Sequence, residues 1–191
     1  DADGAVTGNT RRFGASFEKI KQVVDVRKGE IMFGLNMIVH KGRTIFVGDT
    51  SVHEYPTSEQ MAEIAISTAR VVRLFGFDPK VAFVSHSTFG QPLTSRTKHI
   101  RSAVEILKER KVDFEFDGDM QPDVALNPEY EELYPFAKIV GKANILIMPG
   151  QHSAAISYKL MKTIGETKVI GPLLIGLGLP IEIAPLRSST S

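Results

Sequence analysis

Residues 144–158, Asn144-Ile-Leu-Ile-Met-Pro-Gly-Gln-His-Ser-Ala-Ala-Ile-Ser-Tyr158, set a short apolar run against Pro149-Gly150 and follow it with polar residues at the start of a helical spacing. The run reads as a buried strand, because proline cannot continue a ladder and the residues beyond it suit a helix. Two more apolar runs end similarly, at Asp49-Thr-Ser-Val-His53 and Ser85-His-Ser-Thr-Phe-Gly90. In an open parallel sheet such ends gather at one edge and form a crevice for a small molecule. The chain therefore reads as a ligand-binding α/β domain.

The remaining patterns agree. Ser16 is a plausible N-cap for a short helix carrying Phe17, Ile20, Val23 and Val24, ending before Lys28-Gly29. Residues 30–39 and 43–49 are β-rich runs around Lys41-Gly42, which predicts a hairpin. Thr57 and Gln60 have capping-box spacing, and Met61, Ile64, Ala65, Thr68, Val71, Val72 and Phe75 keep helical periodicity until Gly76. Further strands are expected at Val81–Val84, Val112–Phe116, Ile145–Met148, Val169–Leu177 and Ile181–Leu186, with helices at 95–110, 122–126 and 152–164. The alternation predicts a three-layer α/β/α fold with a mixed, mostly parallel sheet and one antiparallel hairpin. The chain opens in what reads as a loop and ends at Ser188-Ser-Thr-Ser191, which suggests a segment of a longer polypeptide.

Composition narrows the function. Twenty-three Lys and Arg against 22 Asp and Glu give a net charge of +1, with no single-sign stripe for nucleic acid. Zero cysteines exclude a disulfide framework, a thiolate metal site and a cysteine nucleophile. No apolar run is long enough for a transmembrane helix and residues 1–6 lack signal-peptide order, so the expectation is a cytoplasmic protein without membrane contact.

The loop Ser85, Ser87, Thr88 and Gly90 offers hydroxyls and free N–H groups to a phosphate or carboxylate; the plainer alternative is a satisfied turn with a helix cap. His152 and Ser153, opening the last helix, are candidates for the same ligand. Asp49, Thr50, Ser51 and His53 are either a polar turn or a contact. His53, His86 and His152 match no metal motif, and no metal is expected. Tyr158 and Lys162 have the Tyr-x-x-x-Lys spacing of short-chain dehydrogenases, but no Gly-x-Gly-x-x-Gly supports it. Asp117-Gly-Asp-Met-Gln-Pro-Asp123 reads as a solvated turn, and Arg187 as a bidentate phosphate partner.

Several segments resemble the phosphate acetyl/butyryltransferase family over nearly the whole chain: Asp49 through Pro56-Thr-Ser-Glu-Gln-Met-Ala-Glu-Ile-Ala65, Ser85-His-Ser-Thr88, Asp117-Gly-Asp-Met-Gln121, Gly141-Lys-Ala-Asn-Ile-Leu-Ile147, Ile156-Ser-Tyr-Lys159 and Ile170-Gly-Pro-Leu-Leu173. Asp49-Thr, Val52-His-Glu, Phe114-Glu-Phe-Asp-Gly and Ala125-Leu-Asn-Pro are most similar to the phosphotransacetylase-like C-terminal domain of hybrid NADP-dependent malic enzymes. The resemblance implies an isocitrate/isopropylmalate dehydrogenase-like fold, coenzyme A or acetyl-CoA as ligand, and a homo-oligomer, a dimer or higher. Residues 1–191 would form the second lobe and part of the first; NADP and a divalent metal would belong to an upstream malic domain. The family's catalytic arginine falls on Arg187. Departures from the family are Phe89 for Lys, Ala155 for Asn, Ile175 for Gln and Leu186 for the Ser before Arg187. Two functions follow: a regulatory domain whose acyl-CoA pocket serves a malic enzyme, or an active phosphate acetyltransferase in which Ser87, Thr88 and Arg187 hold the phosphoryl group. A purely oligomerising lobe is a third reading.

Overall fold

The computed structural model describes residues 2–186. Along the chain, β1 (Ala5–Gly8) precedes α1 (Phe13–Val23), the hairpin of β2 (Phe33–His40) and β3 (Arg43–Gly48), and α2 (Ser58–Leu74). Then come β4 (Lys80–Val84), α3 (Ser95–Glu109), β5 (Glu115–Met120), α4 (Pro122–Leu126), a 3-10 helix at Pro128–Leu133, β6 (Ile145–Ile147), α5 (Gln151–Ile164), β7 (Lys168–Ile175) and β8 (Ile181–Ala184).

The main sheet has the order β5-β4-β6-β3-β2-β7. Strands β5, β4, β6 and β3 pair in parallel, whereas β2 is antiparallel to both β3 and β7. Period-2 alternation sends successive side chains to opposite faces. Phe46, Val81, Phe83, Ile145 and Ile147 meet Met61, Ile64 and Val72 of α2 and Ile100, Val104 and Leu107 of α3. Ile45, Val47, Ala82, Val84 and Leu146 meet Val124 and Ala125 of α4 and Ala154, Tyr158 and Met161 of α5. A sheet covered on both faces is the predicted three-layer arrangement. Each fully buried large side chain contributes about 1.5–3 kcal/mol, so both layers are needed to hold the strand ends in place. A smaller parallel pair, β1 with β8, packs with α1 through Phe17, Ile20, Ile181 and Ile183.

Local signals held where the chemistry is local. The capping box forms at Thr57 and Gln60. His40 pairs with Arg43 across a two-residue turn, where Lys41 and Gly42 take φ 47° and 77°, as a tight right-twisted hairpin requires.

Other expectations are corrected. The first helix starts at Phe13, because Phe13 stacks on Phe17 with ring centroids 5.7 Å apart and extends it by a turn; Ser16 is inside it, buried, and Arg12 holds the cap position. The strand expected at 112–116 runs Glu115–Met120 instead, since its register is set by β4, with Lys80 opposite Glu115 and Val84 opposite Met120. The opening loop contains β1, whose partner β8 comes from the far end of the chain. No described helix is long and apolar enough to cross a membrane.

Candidate functional site

Three loops leave the C-terminal ends of β3, β4 and β6. The first is built around Asp49, which is 2% exposed. Its carboxylate accepts the N–H groups of Gly34 (2.9 Å), Ser51 (2.8 Å), Val52 (3.1 Å) and His53 (2.7 Å), and its Oδ2 lies 2.7 Å from His53 Nδ1. Asp49 and His53 thus shape the turn; within it the buried Thr50 donates its hydroxyl to the Gly34 carbonyl at 3.1 Å, and Thr50 and Ser51 border a cleft.

The second loop closes on Asp119 of β5. This carboxylate is fully buried. It accepts the Ser87 hydroxyl in a short hydrogen bond and the Gly90 N–H at 3.0 Å, while the Asp119 carbonyl accepts the Phe89 N–H at 2.6 Å. Arg101 of α3 stands 3.9 Å from Asp119 Oδ1. The expected solvated turn at 117–123 is therefore replaced by a buried anchor, because the β4–β5 pairing carries Asp119 inward beside the loop. Ser85 Oγ accepts the Ser87 N–H at 3.2 Å, and Thr88 Oγ1 accepts the Gln121 N–H at 3.3 Å. The hydroxyl hydrogens of Ser85 and Thr88 have no acceptor among the described residues. Phe89 takes φ 50° and packs on Tyr134 and Phe136, at 5.5 and 4.9 Å between centroids.

The third loop turns at Gly150, where a Cβ would collide with the Glu54 carbonyl oxygen, so the β6 loop can lie directly on the β3 loop. Gln151 fastens them, its N–H to the His53 carbonyl at 2.9 Å and its Nε2 to the Ser51 carbonyl at 3.1 Å. Ser153 returns its hydroxyl to the Gly150 carbonyl at 2.8 Å. His152 is exposed, 3.4 Å from Glu54.

Several hollows adjoin these loops, and charge separates two of them. The larger, 980 Å³, runs along α3 and includes Gly90; its charged lining is Lys98 and Arg101 against Glu59, Glu105 and Glu109, a balance of 2 − 3 = −1. The other, 480 Å³, lies between the β1–β8 unit and the main sheet. Thr50, Ser51, Gln151, Tyr158, Phe13, Ile183 and Leu186 line it, and its charged groups among the described residues are Arg12, Lys159 and Lys162, with no carboxylate among them. None of the three cations has an ion-pair partner among the described residues. A local charge of +3 on a chain of net +1 makes this cleft the place for an anion. Tyr158 is half-buried, and that burial raises its phenol pKa, so it stays a neutral hydrogen-bond donor at physiological pH.

Among the residues singled out by sequence, Ser87 is bonded to Asp119, Ser85 to the Ser87 N–H and Thr88 to the Gln121 N–H, and none of the three lines either hollow; Gly90 lines the larger one, and His152 and Ser153 flank the cation-rimmed cleft without lining it. Arg187 lies outside the described residues, next to Leu186 of the cleft wall. Sequence reading overlooked Arg12 and Lys159. The available signal was the spacing of Ala155, Tyr158, Lys159 and Lys162, which puts all four on one face of α5.

The family model described as "Phosphate acetyl/butaryl transferase" matches residues 1–190. The chain belongs to this family. Among phosphate acetyl/butyryl transferase relatives, it is 44% identical over 191 residues to an NADP-dependent malic enzyme of Rhizobium meliloti (strain 1021), covering all of this chain and 25% of that protein. It is 31% identical over 183 residues to a phosphate acetyltransferase of Bacillus subtilis (strain 168), covering 95% of this chain and 57% of that protein. The chain therefore spans about a quarter of the malic enzymes it matches. A phosphotransacetylase structure from Streptococcus pyogenes superposes with a TM-score of 0.92 at 30% identity, over 98% of this chain and 58% of that one. Phe89 points its ring into an aromatic cluster, and Ala155 lines the cleft.

Proposed function

We propose that this chain is the phosphotransacetylase-like C-terminal part of an NADP-dependent malic enzyme, which converts malate to pyruvate and CO2, and that it binds acetyl-CoA or CoA as a regulatory domain. The observation that carries the reading is the cleft rimmed by Arg12, Lys159 and Lys162, with no carboxylate among its described residues, in a member of a family named for acyl transfer. Phosphates of the ligand meet the cations, while Phe13, Val169 and Ile183 receive its apolar stretches. Acyl transfer needs a base for the thiol. The titratable side chain that reaches into the cleft from α5 without a positive charge is Tyr158, and its raised pKa makes it a poor base near neutral pH. In this reading the protein is a cytoplasmic homo-oligomer, and NADP and the divalent metal belong to the upstream malic domain.

Isothermal titration calorimetry of the full-length protein with acetyl-CoA, alongside malate turnover with and without it, tests the reading. Lys159→Ala and Lys162→Ala should each weaken binding by about two- to fivefold, the worth of an exposed charge contact. No heat of binding together with unchanged malate turnover would overturn it.

Active phosphate acetyltransferase is the second reading, favoured by the Streptococcus pyogenes superposition and by Arg187 following a cleft residue. Of the three residues the resemblance puts on the phosphoryl group, Ser87 is committed to the buried Asp119 and Thr88 is buried, which leaves Arg187 to carry that role in this reading. CoA-dependent phosphate release from acetyl phosphate that disappears in Arg187→Ala would establish it in place of the first.

A further inference from the structure

A further hollow, of 510 Å³, opens beside β5, the last strand in the order β5-β4-β6-β3-β2-β7. The cation-rimmed cleft draws on β7, at the opposite end of that order. Four phenylalanines from three segments line the hollow: Phe89 after β4, Phe114 and Phe116 around the start of β5, and Phe136 in the loop before β6. Alternation puts Phe114 and Phe116 on one face, with ring centroids 6.0 Å apart. Phe89 holds φ 50°, a left-handed conformation that disfavours bulky residues, and the Phe89 and Gly90 N–H groups keep it there through Asp119. Its ring meets Phe136 edge to face, with centroids 4.9 Å apart, yet Phe136 is 69% exposed and keeps a ring face open.

Charge decides what can lie on that face. Arg101, Lys108 and Lys138 stand against Glu105, Glu115 and Asp117, so the lining is neutral and does not select an anion. Lys108 is matched by Glu105 at 2.8 Å, Glu115 by Lys80 at 4.0 Å and Arg101 by the buried Asp119 at 3.9 Å. Lys138 has no ion-pair partner among the described residues. Asp117 accepts the Gly118 N–H at 2.9 Å on one oxygen and the Lys138 N–H at 3.3 Å on the other, and each oxygen keeps a second lone pair. A strong donor and a double acceptor therefore share a hollow with a bare aromatic face. We propose that this is a second ligand site, for a purine nucleoside, with guanosine preferred. Its volume lies within the range of about 300–1,000 Å³ usual for small-molecule sites. The base stacks on Phe136, as bases stack on aromatic side chains in nucleic-acid binders. The guanine N1–H and N2 amino group donate to the Asp117 carboxylate, and Lys138 donates to O6; adenine offers one exocyclic amine and no O6. The site is separate from the cleft and does not depend on what binds there.

Isothermal titration calorimetry of the full-length protein with guanosine, inosine and adenosine, with and without saturating acetyl-CoA, tests the assignment. Guanosine should bind about tenfold tighter than adenosine, the discrimination of one bidentate base contact, with inosine, which lacks the N2 amino group, between them. Acetyl-CoA should not compete. Phe136→Ala should weaken all three by about tenfold, the worth of one stacked base, while the thermal melt stays unchanged because the side chain is exposed. Lys138→Met should lower the affinity for guanosine and inosine more than that for adenosine. Absence of binding by all three nucleosides, affinities that Phe136→Ala leaves unaltered, or displacement of guanosine by acetyl-CoA overturns the proposal. Equal affinity for guanosine and adenosine overturns the roles given to Asp117 and Lys138.

Discussion

Replacing Asp49 by alanine is the most direct probe of how the strand-end loops are held. Four backbone N–H groups and His53 Nδ1 converge on this carboxylate. The Gly34 N–H lies inside the sheet and would stay unsatisfied, which costs about 1–3 kcal/mol. The Ser51, Val52 and His53 amides sit in a partly exposed turn and would recover water, so each loses only the surplus of a charge-assisted bond, about 0.5–1 kcal/mol. The sum is a loss of about 4 kcal/mol of folding stability. Asp49→Asn keeps one acceptor but turns an amide N–H toward other donors, for a loss of about 2 kcal/mol. Urea denaturation followed by circular dichroism measures both. Thr50 and Ser51 line the cleft, so acetyl-CoA affinity should fall together with stability. A loss below about 1 kcal/mol for Asp49→Ala, with ligand affinity unchanged, would refute the view that this carboxylate organises the loop.

Two more expectations follow from buried carboxyl groups. Asp119→Ala removes the acceptor of the Ser87 hydroxyl and the Gly90 N–H and should cost about 3 kcal/mol; adding Ser87→Ala should cost about 1 kcal/mol less than the sum of the single changes, and strict additivity in denaturation would show that the two do not act as a pair. Glu182 on β8 has its carboxyl pKa raised by burial, with the Leu174 N–H bond opposing, so the folded state favours the protonated form. Its stabilising contribution is then complete below the ordinary Glu value of 4.5 and is lost as pH rises through the folded value. Thermal melts should show wild type losing ground to Glu182→Gln as pH rises from about 4 to 7, and a pH-independent difference would contradict the assignment.

Much of the fold was legible because its causes are local. The strand alternation of Ile45 to Val47 and Val81 to Val84, the capping box at Thr57 and the turn at Lys41-Gly42 each depend on residues a few positions apart. The family was legible too, through motifs spread along the whole chain. Less could be read where distant segments meet. Asp119 looked like part of a solvated turn because its neighbours Asp117 and Asp123 are polar; only pairing with β4 turns it inward against Ser87. The hydroxyls of the Ser85–Gly90 loop looked free for a ligand, yet that same pairing commits the Ser87 hydroxyl to a buried carboxylate.

By itself, then, the sequence determined the elements, their layering and the family, since periodicity, capping and turn chemistry act within a few residues. Tertiary structure alone decided where charge collects. Arg12 enters from the N-cap of α1, Thr50 from the β3 loop, Lys159 and Lys162 from α5, and Ile183 from a strand that pairs with β1. Coulomb attraction and apolar burial depend on distance in space, and those groups become neighbours only when the β1–β8 unit packs beside the sheet.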